Sequence, residues 1–288
     1  MRKTAIALLG ALSLSPFALA TAASADPVDE ELVIDGQKMI TEAPAPKVPP
    51  GHPFDEVLSG WLFREADTRA MEVDSFENPG MLNVERGEEI WNTVEGAAGK
   101  SCATCHGDVA ESMKDVGAHY PKWNAKAGKP FNLELQINQC RTEQMKAEPY
   151  KFDAQDQKDL TAYIKHQSLG IPVKIDLSAG QMMDWWKKGH DRYYLRTGQL
   201  NLSCASCHEK NADHYIRADH LSQGQTNGFP TYRLKQGNLV SLHNRFRGCI
   251  RDTRAEQPKA FSDELMALEV YTAWRGEGLS VETPAVRQ

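Results

Sequence analysis

Six cysteines carry the chemistry of this 288-residue chain, and four of them sit in two copies of one motif, Cys102-Ala103-Thr104-Cys105-His106 and Cys204-Ala205-Ser206-Cys207-His208. Cys-x-x-Cys-His is the spacing that attaches a haem covalently. Two thiols take up its vinyl groups as thioethers, and the adjoining histidine becomes the proximal ligand of the iron. One copy can arise by chance. Two copies point to two covalently bound c-type haems, with His106 and His208 as iron ligands.

Each iron then needs a sixth ligand, usually methionine or histidine in small proteins of this kind. The first half offers Met113, Met145, His119, His166 and Cys140; the second offers His214, His220, His243, Met266 and Cys249. Only the cysteines recur at matching places. Cys140 lies twelve residues before Phe152 and Cys249 twelve before Phe261, and each phenylalanine opens a closing amphipathic stretch. An oxidising compartment, which the N-terminus implies (below), seldom leaves thiols idle. Cys140 and Cys249 are therefore read as thiolate ligands, deprotonated by the metal they bind. The alternative is a Cys140–Cys249 disulfide. Ligation predicts the axial pairs His106/Cys140 and His208/Cys249, with low potentials, because an anionic sulfur favours ferric iron.

Charge separates the two cysteines. Arg233 to Arg254 holds six Lys/Arg against one Asp, a local +5 in a chain of formal charge −6, whereas Lys129 to Lys151 holds four against three. Arginine presents a planar fork of donors suited to oxyanions. Arg245, four residues before Cys249, shares a helical face with it and is the first candidate for anion binding; Arg247 is the second. Of the arginines here, including Arg251 and Arg254, one or two are expected to pair with haem propionates. His220 lies in RADHLSQGQTNGFPTYRLKQGN, which has no counterpart in the first half. It is a candidate proton carrier, although a packed histidine is the commoner outcome.

The elements that must position these residues show in the apolar spacing. Val84, Ile90, Trp91 and Val94 predict a helix leading into the first motif; Phe152, Leu160, Tyr163 and Ile164 predict one closing the unit before Gly170. Met182, Met183, Trp185 and Trp186, then Leu265, Leu268, Tyr271 and Trp274, repeat that order. The expected fold is mainly α: two tandem cytochrome c-like domains, 78–175 and 176–288. Residues 26–77, acidic and then rich in proline, read as an extended segment wrapping its own domains or a partner, with Gly60-Trp61-Leu62-Phe63 for docking. Met1-Arg2-Lys3, an apolar run and Ala23-Ser24-Ala25 predict a signal peptide over 1–25, hence export to the periplasm without a membrane span. Its removal, with Arg2 and Lys3, takes the charge from −6 to −8. So acidic a chain is a poor nucleic-acid binder; its partners should be small molecules or proteins.

Together the tandem motifs, the lone cysteine after each, RADHLSQGQTNGFPTYRL and FRGCIRDTRAE resemble the SoxA family, the dihaem subunits of the SoxAX cytochrome complexes of bacterial sulfur oxidation. The resemblance spans the mature chain. It implies L-cysteine S-thiosulfotransferase activity, in which thiosulfate is joined oxidatively to a cysteine on the swinging arm of the carrier SoxYZ. Electrons then pass to the haem of SoxX, the partner in a heterodimer. It further implies a persulfide on Cys249, substrate binding by Arg245, and a first haem remote from the reaction. Two other classes compete: a dihaem electron-transfer cytochrome without chemistry of its own and, more weakly, a dihaem peroxidase with an open axial site.

Overall fold

A computed structural model describes residues 27–288; the signal peptide expected over 1–25 lies outside them. In the N-terminal segment β1 (Val33–Ile34) pairs with β2 (Gln37–Lys38) and β3 (Glu42–Pro44) with β4 (Glu56–Leu58), both antiparallel, before helix α1 (Ala66–Val73). Its proline content argues for extended chain without a core. Instead, Leu32, Ile34, Met39, Trp61, Leu62 and Phe63 bury one another, and the segment wraps its own chain. Trp274 Nε1 donates to the Val48 carbonyl at 3.0 Å, Ser59 Oγ to Glu282 Oε2 at 2.8 Å, and Val286 N to Glu72 Oε2 at 2.8 Å.

The first half contains α2 (Met81–Asn92), α3 (Cys102–His106), α4 (Val109–Ser112), the hairpin β5 (Lys122–Asn124) and β6 (Lys129–Phe131), α5 (Leu133–Cys140) and α6 (Gln155–His166). The second contains α7 (Met182–Tyr194), α8 (Cys204–His208), the hairpin β7 (Tyr215–Ile216) and β8 (Asp219–His220), a further hairpin β9 (Thr231–Arg233) and β10 (Asn238–Val240), α9 (Leu242–Asp252) and α10 (Asp263–Arg275). Strand β11 (Val286–Arg287) adds in parallel to β9. The chain is helix-rich, and its strands are two or three residues long.

In each half the helix before the motif packs on the closing helix, α2 on α6 and α7 on α10. A glycine permits the approach. A Cβ on Gly87 would lie 2.4 Å from the Asp159 carbonyl oxygen, and one on Gly189 would lie 2.0 Å from that of Ala267. Only a residue without a side chain lets the backbones meet so closely. Val84, Trp91, Leu160 and Ile164 fill the first core; Trp185, Trp186, Leu265 and Tyr271 the second. Val94, expected on the helical stripe, lies beyond the end of α2 and is exposed.

The stretch before Cys249 does have a partial counterpart. Tyr120-Pro121 and Phe229-Pro230 lead into the hairpins β5–β6 and β9–β10, and each proline lies nineteen residues before its lone cysteine. Strands this short show no alternation, so the match is invisible to a periodicity reading. What belongs to the second half alone is the β7–β8 hairpin and the turn after it. Matched residues also meet at the boundary. Phe152 and Phe261 pack edge to face with centroids 5.6 Å apart, and Asp153 accepts from Ser241 Oγ at 3.0 Å and Asn244 Nδ2 at 2.8 Å. The helices carrying the lone cysteines, α5 and α9, thus both start near this boundary.

Candidate functional site

Each motif folds as a five-residue helix opened by a serine. In α3 Ser101 and Thr104 cap reciprocally, and in α8 Ser203 and Ser206 do the same. Such a box satisfies the first free N–H groups, and one helical turn brings the two thiols onto the same side. Helix α9 is set by Ser241, whose side chain accepts from Asn244 N. Its Leu242, Arg245, Phe246 and Cys249, at i, i+3, i+4 and i+7, form one face. That face, with Cys204, Cys207 and His208, lines a cleft of about 1440 Å³ of empty space, including its opening to solvent. A cleft this size takes a large cofactor.

The donor set fits a c-type haem. His208 Nδ1 donates to the Ser222 carbonyl at 2.8 Å, which leaves the Nε2 lone pair for a metal. Burial lowers the His208 pKa to about 4 and so keeps the ring neutral. Gly224, at φ +78°, allows the backbone to lie against that ring, since a Cβ there would be 2.7 Å from His208 Cγ. Burial, and then the nearby Cys249, push the Cys204 thiol up to about 12 and raise that of Cys207. All three thiols therefore share one space.

Arg64, Arg192, Arg233, Arg245 and Arg287 line the cleft. Four are committed: Arg192 to Glu264, Arg287 to Glu72 and Glu282, Arg64 to the His220 carbonyl, and Arg233 to the Gln288 carbonyl. The Arg245 side chain makes no hydrogen bond or ion pair among the described residues. Its guanidinium is free for an anion. Arg247, the second candidate, lies apart from Arg245. Two residues further on, it points to the far side of the helix, packs over the Phe152 ring at 5.4 Å and does not line the cleft. Arg251 pairs with Asp252 at 2.9 Å on the surface, and Arg254 is exposed. His220 is a packed histidine in the cleft wall, stacked on Tyr215 at 4.7 Å and against the Phe63 edge at 5.2 Å. Arg64, Arg192 and Arg287 arrive from three distant segments, and no local pattern marks them in the sequence.

In the first half α5, capped by Asn132, delivers Cys140. Burial pushes the Cys102 thiol up to about 11, with Cys140 as the next cause, so these two are also neighbours. Gln136 Nε2 donates to Cys140 Sγ at 3.6 Å. Cys105 and His106 are exposed, and the His106 ring lies 5.7 Å from that of Trp91. The other ligand candidates are engaged elsewhere. His119, His166 and His214 lie 3.0 Å from the carbonyl oxygens of Lys174, Thr283 and Ala212. His243 Nε2 lies 2.9 Å from Glu269 Oε2, and Met113, Met145 and Met266 are buried. All six cysteines are free of disulfides, Cys140 and Cys249 included.

Capped Cys-x-x-Cys-His helices against crossed helix pairs define a c-type cytochrome. Over residues 86–173 the chain matches the family model SoxA/TsdA, cytochrome c domain. It is 73% identical over 270 residues to the L-cysteine S-thiosulfotransferase subunit SoxA of Pseudaminobacter salicylatoxidans, covering 94% of this chain and 93% of that protein. To the subunit of the same name from Rhodovulum sulfidophilum it is 51% identical over 267 residues, 92% of each. The crystal structure of SoxXA from P. pantotrophus superposes with a TM-score of 0.87 at 45% identity, over 91% of this chain and 100% of that one. The chain belongs to the SoxA family. Among the described residues no helix is long and apolar enough to cross a membrane.

Proposed function

We propose that the chain is the dihaem, substrate-converting subunit of an L-cysteine S-thiosulfotransferase, with tandem cytochrome c-like domains at 78–175 and 176–288, one haem in each. Cys102, Cys105, His106 and Cys140 would hold the first haem, and Cys204, Cys207, His208 and Cys249 the second. The substrates are thiosulfate and a cysteine of the SoxYZ carrier; the partner is SoxX, and the compartment is the periplasm. One observation carries this reading: the uncommitted Arg245 guanidinium stands on the same helical face as Cys249, inside an arginine-lined cleft.

The chemistry needs what that face supplies. A carrier thiolate and thiosulfate join through a new sulfur–sulfur bond, and two electrons leave. The haem's contribution is to accept electrons one at a time, so a partner cytochrome is needed as second acceptor. Arg245 offsets the repulsion between a dianion and the anionic sulfur of Cys249, and it raises the local thiosulfate concentration in an acidic protein. Arg233, beside Arg245 and depressed by burial and by that neighbour, suits a propionate. The test is mass spectrometry of SoxYZ after incubation with thiosulfate, the purified complex and an electron acceptor. The expected result is a carrier heavier by one thiosulfate. An unmodified carrier beside a reducible dihaem complex would leave only electron transfer.

A further inference from the structure

The residue after the second proximal histidine is a carboxylate only 13% exposed. Glu209 Oε1 accepts from Arg275 Nη1 at 2.7 Å and from the Tyr194 hydroxyl at 2.8 Å. Arg275 closes α10, and its side chain is 1% exposed. Its guanidinium carbon stands 4.5 Å from the ring centroid of Tyr193, which lines the cleft. Three elements therefore meet at Glu209: α7 through Tyr194, α10 through Arg275, and α8, whose Ala205 carbonyl accepts from Glu209 N at 3.2 Å. The twin position in the first half is Gly107, with no side chain, and α6 ends in His166, turned toward the Thr283 carbonyl.

Burying an ion pair is a poor way to gain stability, because desolvation offsets most of the attraction. Apolar residues would hold α10 on α7 as well. A pair retained one residue from an iron ligand calls for another reason. Outer-shell partners orient a ligating imidazole, and fixed charge near a haem shifts its potential.

We infer that Glu209 and Arg275 form a positioning pair for His208: they tie the peptide behind the imidazole to both crossing helices and keep the local charge balanced, so that the second haem's potential follows its axial ligands. The inference rests on reading the second motif as a haem site. Neither residue touches the reacting atoms; both act through His208. Because the first half has no such pair, only the second haem should respond to their removal.

The experiment uses the full mature chain in its complex with SoxX, with haem stoichiometry measured by mass before each potentiometric titration followed by EPR. Glu209→Gln leaves Arg275 uncompensated and should raise the second haem's potential. Arg275→Gln leaves the carboxylate and should lower it. The double variant should return toward wild type, and the first haem should stay put throughout. Shifts of the same sign in both single variants, no shift, or no restoration in the double variant would overturn the pairing. A merely structural role predicts loss without opposite signs. Glu209→Gln is nearly isosteric and carries the sign test if Arg275→Gln does not accumulate. A wild-type chain with haem at the first motif only would overturn the underlying reading, and the inference with it.

Discussion

Four residues before Cys140 stands Gln136, and four before Cys249 stands Arg245. Both helices are capped at the boundary between the halves, and both bring their cysteine to a Cys-x-x-Cys-His helix. The amide meets its sulfur at 3.6 Å and leaves it neutral company; the guanidinium faces an open cleft without a partner among the described residues. The histidines of the two motifs differ in the same sense. His106 is exposed beside Trp91, whereas His208 is half-buried, bonded to Ser222 and backed by Gly224, residues that only the longer second half supplies. The scaffold sets where a haem goes; a few polar residues on the cleft wall decide whether anything else happens there.

The widest gap should appear at the cysteines. Cys249→Ala is expected to lower thiosulfate-dependent turnover with SoxYZ by about 10³-fold or more, as removal of a reacting group does, while Cys140→Ala keeps most of it. Equal losses would erase the division of roles. Arg245→Gln, which copies the first half's residue, should lower kcat/KM by about 10²-fold, typical of losing one donor to a developing or bound anion. Its haem content should match wild type. Arg247→Gln should have little effect, because its side chain lies outside the cleft.

The cysteine pairs and the crossed helices were legible because they are local: a five-residue motif, a 3.6-residue period and a constant spacing to the closing helix. Arg245 was legible for the same reason, four residues from Cys249 on one helical face. That helical geometry, applied strictly, also sets Arg247 apart, because it is two residues from Arg245 and cannot share its face. Arg64, Arg192 and Arg287 were not legible, since they converge on the cleft from α7 and the two ends of the chain. Nor was the matched hairpin, whose three-residue strands carry no pattern. The core of the N-terminal segment was obscured by its prolines, because Leu32 and Met39 find Trp61 and Phe63 only through tertiary contact.

Where the two halves share a device, their responses should agree. Gly87→Ala and Gly189→Ala each place a Cβ inside van der Waals contact with a backbone carbonyl of the facing helix. Each is expected to destabilise by about 1–3 kcal/mol, the usual range for overpacking, read as a lower melting temperature of the haem-loaded protein. A loss confined to one of them would mean that the two crossings are not equivalent.

The smallest effect concerns the boundary. Glu134 and His243 hold matching places, six residues before their cysteines, and both are buried there. Burial raises the Glu134 pKa to about 7; His243 opposes this, Glu269 and Asp153 reinforce it, and Lys165 opposes it. A carboxyl with a raised folded pKa binds an extra proton in the folded state between its unfolded value and about 7, so stability falls as pH climbs through that window. The penalty is absent near pH 4 and complete above pH 7. Glu134→Gln removes the titration and should raise the melting temperature at pH 8, by about 1 kcal/mol of stability or more. At pH 4 it should change little. A destabilisation at pH 8 would show that the ionised carboxylate is held by its neighbours and belongs to the boundary's structure, as His243 does through Glu269.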